Sequence, residues 1–176
     1  ATAEEKEGAQ FFELEERFTD EQLRVLGPRV KQEHVDALHW YVAKSFSYVR
    51  NREVTTKYTT PTYPIFMREC VITDKDGYKK YEPLNPDKQW RFSYTPEGVK
   101  PKLYINGFYE LQKAFRDFNA QEEKLFFQDP KNKDAQYKDK KLPEAFICSG
   151  ERDALCVRAF GCHPLWFNSE TYRVSP

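Results

Sequence analysis

The chain alternates between two hydrophobic periods, and the changes of period mark its elements. After an acidic start, Thr19 and Gln22 form a capping-box pair ahead of Leu23, Val25 and Leu26, which predicts a short helix ending at Gly27-Pro28. Val35, Leu38, Tyr41 and Val42 recur at three- and four-residue spacing and predict an amphipathic helix from about Lys31 to Lys44. Arg50 to Pro61 is a Thr-rich, β-leaning connector. From Tyr63 the period becomes two. Tyr63 to Ile72 reads as a strand, Asp74 to Gly77 as a turn, and Tyr78 to Leu84 as the return strand of a hairpin. Gln89 to Tyr94 sets Trp90, Phe92 and Tyr94 against Gln89, Arg91 and Ser93, predicting a strand with one aromatic face. Pro96-Glu97-Gly98 turns the chain into Lys100 to Ile105. A helix follows from about Phe108 to Phe126, with Leu111, Phe115 and Phe118 facing inward.

Beyond the lysine-rich loop Asp129 to Lys141 lies the stretch with the most distinctive pattern, Leu142 to Glu170. Ala145, Phe146, Ile147 and Cys148 form the apolar run of a strand buried on both faces, stopping at Ser149-Gly150. A helix then opens with Glu151 and Asp153 in its first turn, where the dipole favours acids, and closes at Gly161. Leu165, Trp166 and Phe167 read as a second strand, so the whole is a small parallel βαβ unit. The fold class expected is α+β: a helical N-terminus, a small antiparallel sheet, then the βαβ. Divided by segment, residues 1–18 are an acidic tail, 19–62 a helical segment and connector, 63–128 sheet plus helix, 129–142 a polar basic loop, and 143–176 the βαβ.

Composition sharpens this picture in two places. The 176 residues include 14 Phe, 11 Tyr and 3 Trp, which supply a bulky core although only 39% of the chain is hydrophobic. Lys+Arg and Asp+Glu balance at 28 each, but residues 1–16 hold six glutamates and one lysine, so the remainder is net positive. The acidic start is expected to be solvated, with Phe11, Phe12 and Leu14 the first residues to dock; an autoinhibitory nucleic-acid mimic is the sharper alternative. Cys70, Cys148, Cys156 and Cys162 contain no C-x-x-C and read as small hydrophobes of a reducing compartment; Cys156 with Cys162-His163 lacks the ligand pairing of a zinc site. No run approaches membrane-spanning length and no signal peptide is visible, so a cytoplasmic location and no membrane partner are expected. The two N-terminal helices carry Glu33, His34 and Asp36 on the face a DNA groove would need, which disfavours a helix-turn-helix reader.

Cys148-Ser149-Gly150-Glu151-Arg152-Asp153-Ala154 resembles the opening of the Toprim domain in phage-type and mobile-element primases and primase-helicases. Upstream, Tyr78-Lys79-Lys80-Tyr81, Trp90-Arg91-Phe92, Lys100-Pro101-Lys102 and Ile105-Asn106-Gly107-Phe108-Tyr109-Glu110-Leu111 are similar to the layout that precedes Toprim in that family. The resemblance spans roughly residues 30–170, without the zinc module often found upstream. It implies a nucleic-acid-binding fragment of a DNA primase, contributing to RNA primer synthesis in replication. Its partners would be single-stranded DNA template and nucleotides, with a fused or associated replicative helicase possible. Ser149 stands where the family has its catalytic glutamate, and a neutral hydroxyl neither charges a metal site nor serves as an acid or base near neutral pH. Ser149, Glu151 and Asp153 are therefore the catalytic-position residues, and Lys79, Lys80, Trp90, Arg91, Lys100 and Lys102 the candidate nucleic-acid contacts. Mg²⁺ is expected only in a complete Toprim domain, since the family's later aspartates have no counterpart before Pro176, and no metal site is expected in this chain, which alone would be inactive. Two other readings stay open: a degenerate, non-catalytic Toprim-like binding module, and a structural adaptor with no nucleic-acid role.

Overall fold

The fold is built around one long strand that pairs with three others. The structure, a computed structural model, describes residues 6–72, 75–99 and 103–169. Strand β2, Trp40–Arg50, pairs at its start with β4, Phe66–Ile72, and along the rest of its length with β1, Gln10–Leu14, and β3, Glu53–Tyr58. Strand β4 continues antiparallel to β5, Lys75–Tyr81, which pairs with β6, Phe92–Thr95. The order is β1-β2-β4-β5-β6, with β3 branching from β2.

Because side chains alternate along a strand, each face of this sheet takes its own cover. On one face Trp40, Val42, Phe66 and Tyr81 form a core with Leu23 and Leu26 of helix α1, Asp20–Leu26, Val35 of helix α2, Gln32–Ala37, and Ala154 and Leu155 of helix α4, Glu151–Ala159. On the other face Ala43, Phe46, Ile65 and Met67 make a second core with Phe12, Leu14 and Tyr78. A separate three-stranded sheet, in the order β7, Ile105–Asn106, then β9, Pro164–Phe167, then β8, Phe146–Cys148, sits on the first core through Trp166. Strands β8 and β9 are parallel with α4 between them, as the period of Leu142 to Glu170 predicts.

The capping box of α1 is present, Thr19 accepting from the Gln22 N–H and the Gln22 side chain from that of Thr19. Several expectations are corrected. Residues 10–14 of the acidic start are strand β1, with Phe12 and Leu14 against the second core and Phe11 exposed. The helix expected to Lys44 stops at Ala37; Val35 and Leu38 are buried as its stripe requires, but Trp40, Tyr41 and Val42 are strand formers whose buried alternation continues to Val49. His39, at φ 59°, makes the change of direction. The connector contains β3, joined to β2 by Asn51 and Arg52 at φ 52° and 62°, and Glu7 accepts hydrogen bonds from both their N–H groups. Lys75, Asp76 and Gly77, assigned to a turn, pair within β5, and residues 73–74 lie outside the described residues. The aromatic strand begins at Phe92; Lys88 to Trp90 is a 3-10 turn that Asp87 caps by accepting from the Gln89 N–H.

Helix α3 runs Phe108–Gln128, and its expected inward face is only half-buried; Asn119 alone is fully buried. That side chain fastens the following polar loop, donating to the Lys140 carbonyl and accepting from the Tyr137 hydroxyl and the Lys140 N–H, so the loop packs back on the helix. Gly107 starts α3 at φ 83°, where an added Cβ would lie 2.3 Å from the Pro164 carbonyl oxygen. Strand β8 is an edge strand and not buried on both faces: Ile147 is 82% exposed.

Candidate nucleic-acid interface

The chain leaves β8 at Cys148, turns through Ser149 and extended Gly150, and enters α4 without a side-chain cap. An uncapped helix start presents free backbone donors and the positive end of the dipole. Glu151, the first helical residue, points inward and is 3% exposed. Lys79 of β5 meets it: Nζ donates to both Glu151 carboxylate oxygens at 3.0 Å and to the Asn168 carbonyl at 2.9 Å. The same ammonium lies 4.8 Å from the Phe92 ring centre and 5.6 Å from that of Tyr94, whose hydroxyl donates to the Asn168 carbonyl at 2.8 Å. Asp153, two residues further along the helix, accepts a hydrogen bond from the Ser149 hydroxyl.

Behind this pair lies a buried polar chain. Arg68, 5% exposed, stacks over Trp166 at 4.7 Å and donates through Nη2 to Asn106 Oδ1 at 3.1 Å. Asn106 Nδ2 donates to Asn168 Oδ1 at 2.9 Å and to the Trp166 carbonyl at 3.2 Å. Burial lowers the Arg68 pKa, opposed mainly by the charge of Glu151. Lys79, Tyr94, Ser149, Arg152, Asp153 and Asn168 line an open cavity of about 520 Å³ in front of the chain.

Lys80 points the opposite way, as the neighbour of Lys79 in a strand must. On that face it meets Glu82, 1% exposed, with Nζ 2.8 Å from Oε2, while Oε1 accepts from Lys57 at 3.1 Å and from the Tyr63 hydroxyl at 2.9 Å. Burial pushes the Glu82 carboxyl up, but the hydrogen bond and charge of Lys80, joined by Lys57, outweigh it and hold its pKa below the usual range. Burial and the bond to Glu82 push Tyr63 up to about 12. Lys80 also lies 4.4 Å over the Phe46 ring. Above Glu82 a second cavity, of about 600 Å³, opens between β2 and β6, with Tyr48, Arg50, Trp90 and Phe92 on its walls.

Ser149, Glu151, Asp153 and Lys79 thus share one cavity, while Lys80 and Trp90 belong to the other. The basic face expected from Lys79, Lys80 and Arg91 is therefore not a single free surface: the two lysines are held by buried carboxylates on opposite faces, and Arg91 donates through Nε to the Asn85 carbonyl at 3.0 Å. Lys100 and Lys102 lie outside the described residues. The acids at the α4 N-terminus do not fit a divalent cation, since a lysine takes both oxygens of Glu151, and among the described residues no group of three or more His, Cys, Asp or Glu is placed to hold one. Residues that sequence reading passed over are Arg68, Glu82, Asn106 and Asn168; the signal was a charge inside an apolar strand, Phe66-Met67-Arg68, and an acid directly after Tyr81.

Among the described residues no helix is long and apolar enough to cross a membrane. Compared with known proteins, the chain matches no family model, no curated protein and no solved structure.

Proposed function

We propose that this chain is the nucleic-acid-binding part of a Toprim-type DNA primase or primase-helicase, holding single-stranded template and nucleotides for RNA primer synthesis. The observation that carries the reading is the docking of the β8-α4-β9 unit on the antiparallel sheet through Lys79 and Glu151, which sets an uncapped helix N-terminus at the mouth of an open cavity. Phosphates of a strand would meet backbone N–H groups and Arg152 there, contacts that position a strand without reading its sequence.

One feature favours the non-catalytic form of this reading. The position of the family's acid is Ser149, and the nearest replacement, Glu151, is neutralised by Lys79. The chain by itself then binds and positions, and the metal-dependent step belongs to acids of a complete Toprim domain. Charge reversal of the exposed cation at this cavity, Arg152→Glu, tests it: binding of oligo-dT by fluorescence anisotropy at low salt should weaken about tenfold or more while the circular dichroism spectrum is kept. Unchanged affinity in that variant would remove the support for a strand path across this face.

A further inference from the structure

We infer that the cavity above Glu82 receives one unstacked base of a single strand, with Trp90 as its stacking platform. The inference rests on the nucleic-acid reading and assigns a second, separate contact, across β5 from the Glu151 cavity.

Two observations carry it. First, Trp90, on the wall of this cavity, is 48% exposed, although the other two tryptophans, Trp40 and Trp166, are 2% and 1% exposed. The backbone that carries it is anchored, since its 3-10 turn is capped by Asp87 and flanked by the Arg91 to Asn85 hydrogen bond. A solvent-facing aromatic ring beside cations is the arrangement on which bases of a single strand stack.

Second, the cavity carries a small positive excess. Arg50, Lys57 and Lys80 stand against Glu82 and Glu97, with Arg50 and Glu97 paired at 2.8 Å. The excess of one positive charge suits the phosphodiester that follows a stacked base in a strand.

Because Trp40 and Trp166 are buried, acrylamide reaches Trp90 selectively, and its fluorescence reports this cavity. Oligo-dT is titrated with anisotropy and tryptophan emission read on the same samples, beside an abasic oligomer with the same phosphates. The expected result is quenching of Trp90 and loss of its acrylamide access with oligo-dT alone, and a roughly five- to hundredfold weaker affinity for Trp90→Leu. Oligo-dT that binds by anisotropy while leaving Trp90 as accessible as before overturns the base site and leaves the nucleic-acid reading standing. Equal quenching by the abasic oligomer also overturns it, since phosphate contact alone would then account for the signal. Absence of any anisotropy change defeats the broader reading together with this one.

Discussion

Lys79 and Glu151 lie 72 positions apart in the chain, and both oxygens of the glutamate accept from the one ammonium at 3.0 Å. This pair fastens the β8-α4-β9 unit to the antiparallel sheet. With side chains 11% and 3% exposed, it is shielded from water, so neither charge tolerates losing the other. Lys79→Met is expected to destabilise the protein by about 3–5 kcal/mol in urea unfolding. The double variant Lys79→Met, Glu151→Leu should regain much of that loss, because an apolar pair has no stranded charge. Strictly additive losses would mean that the two residues do not act as a pair.

Glu82 makes stability depend on acid. Its folded pKa is held below the ordinary 4.5, so the unfolded chain takes up the proton first. The contribution is complete above about 4.5 and is lost as pH falls through the lower folded value. Urea midpoints measured from pH 6 downward should fall less steeply below pH 4.5 for Glu82→Gln than for the unchanged protein. At pH 7 that variant should be less stable by about 3 kcal/mol, as Lys80 loses its buried partner.

The start of α3 depends on a residue without a side chain. Gly107→Ala would place a methyl group 2.3 Å from a backbone oxygen, at a φ of 83° that alanine rarely adopts. A loss of about 2 kcal/mol or more in thermal or urea unfolding is expected. A neutral substitution would show that α3 can shift away from β9 at no cost.

Relief of strain should act in the opposite direction at the β2-β3 turn. Arg52, at φ 62°, occupies a backbone region that suits glycine, and Arg52→Gly should stabilise the hairpin by about 0.5–1 kcal/mol. The N–H of residue 52 can still donate to Glu7, so the tether is kept. Lower stability in the glycine variant would indicate that the arginine side chain has a role of its own.

How much of this was legible depended on whether the signal was local. The α1 capping box, the parallel β8-α4-β9 unit and the long helix after Gly107 were legible because caps, periods and glycines act within a few residues. Val35 to Val42 misled because Leu38, Tyr41 and Val42 satisfy a helical stripe while Trp40, Val42 and Ala43 to Val49 satisfy a strand, and only pairing with β4 and β1 decides between them. The basic face expected from Lys79, Lys80 and Arg91 was not there to be read: Lys79 is held by Glu151 of helix α4, 72 positions away, which no local signal reveals, whereas the pairing of Lys80 with Glu82, two residues along the same strand face, was open to local reading and was missed. Ile147 read as buried because an apolar run does not reveal whether its strand lies at a sheet edge.

The claim that this chain binds a single strand stands or falls on one titration. Fluorescein-labelled oligo-dT is titrated with the protein at several salt concentrations and followed by anisotropy. With most contacts made to phosphates, the account predicts saturable binding at low salt and a log affinity that falls linearly with log salt, losing about 0.7 for each phosphate neutralised. No anisotropy change at low salt, or an affinity indifferent to salt, would contradict it.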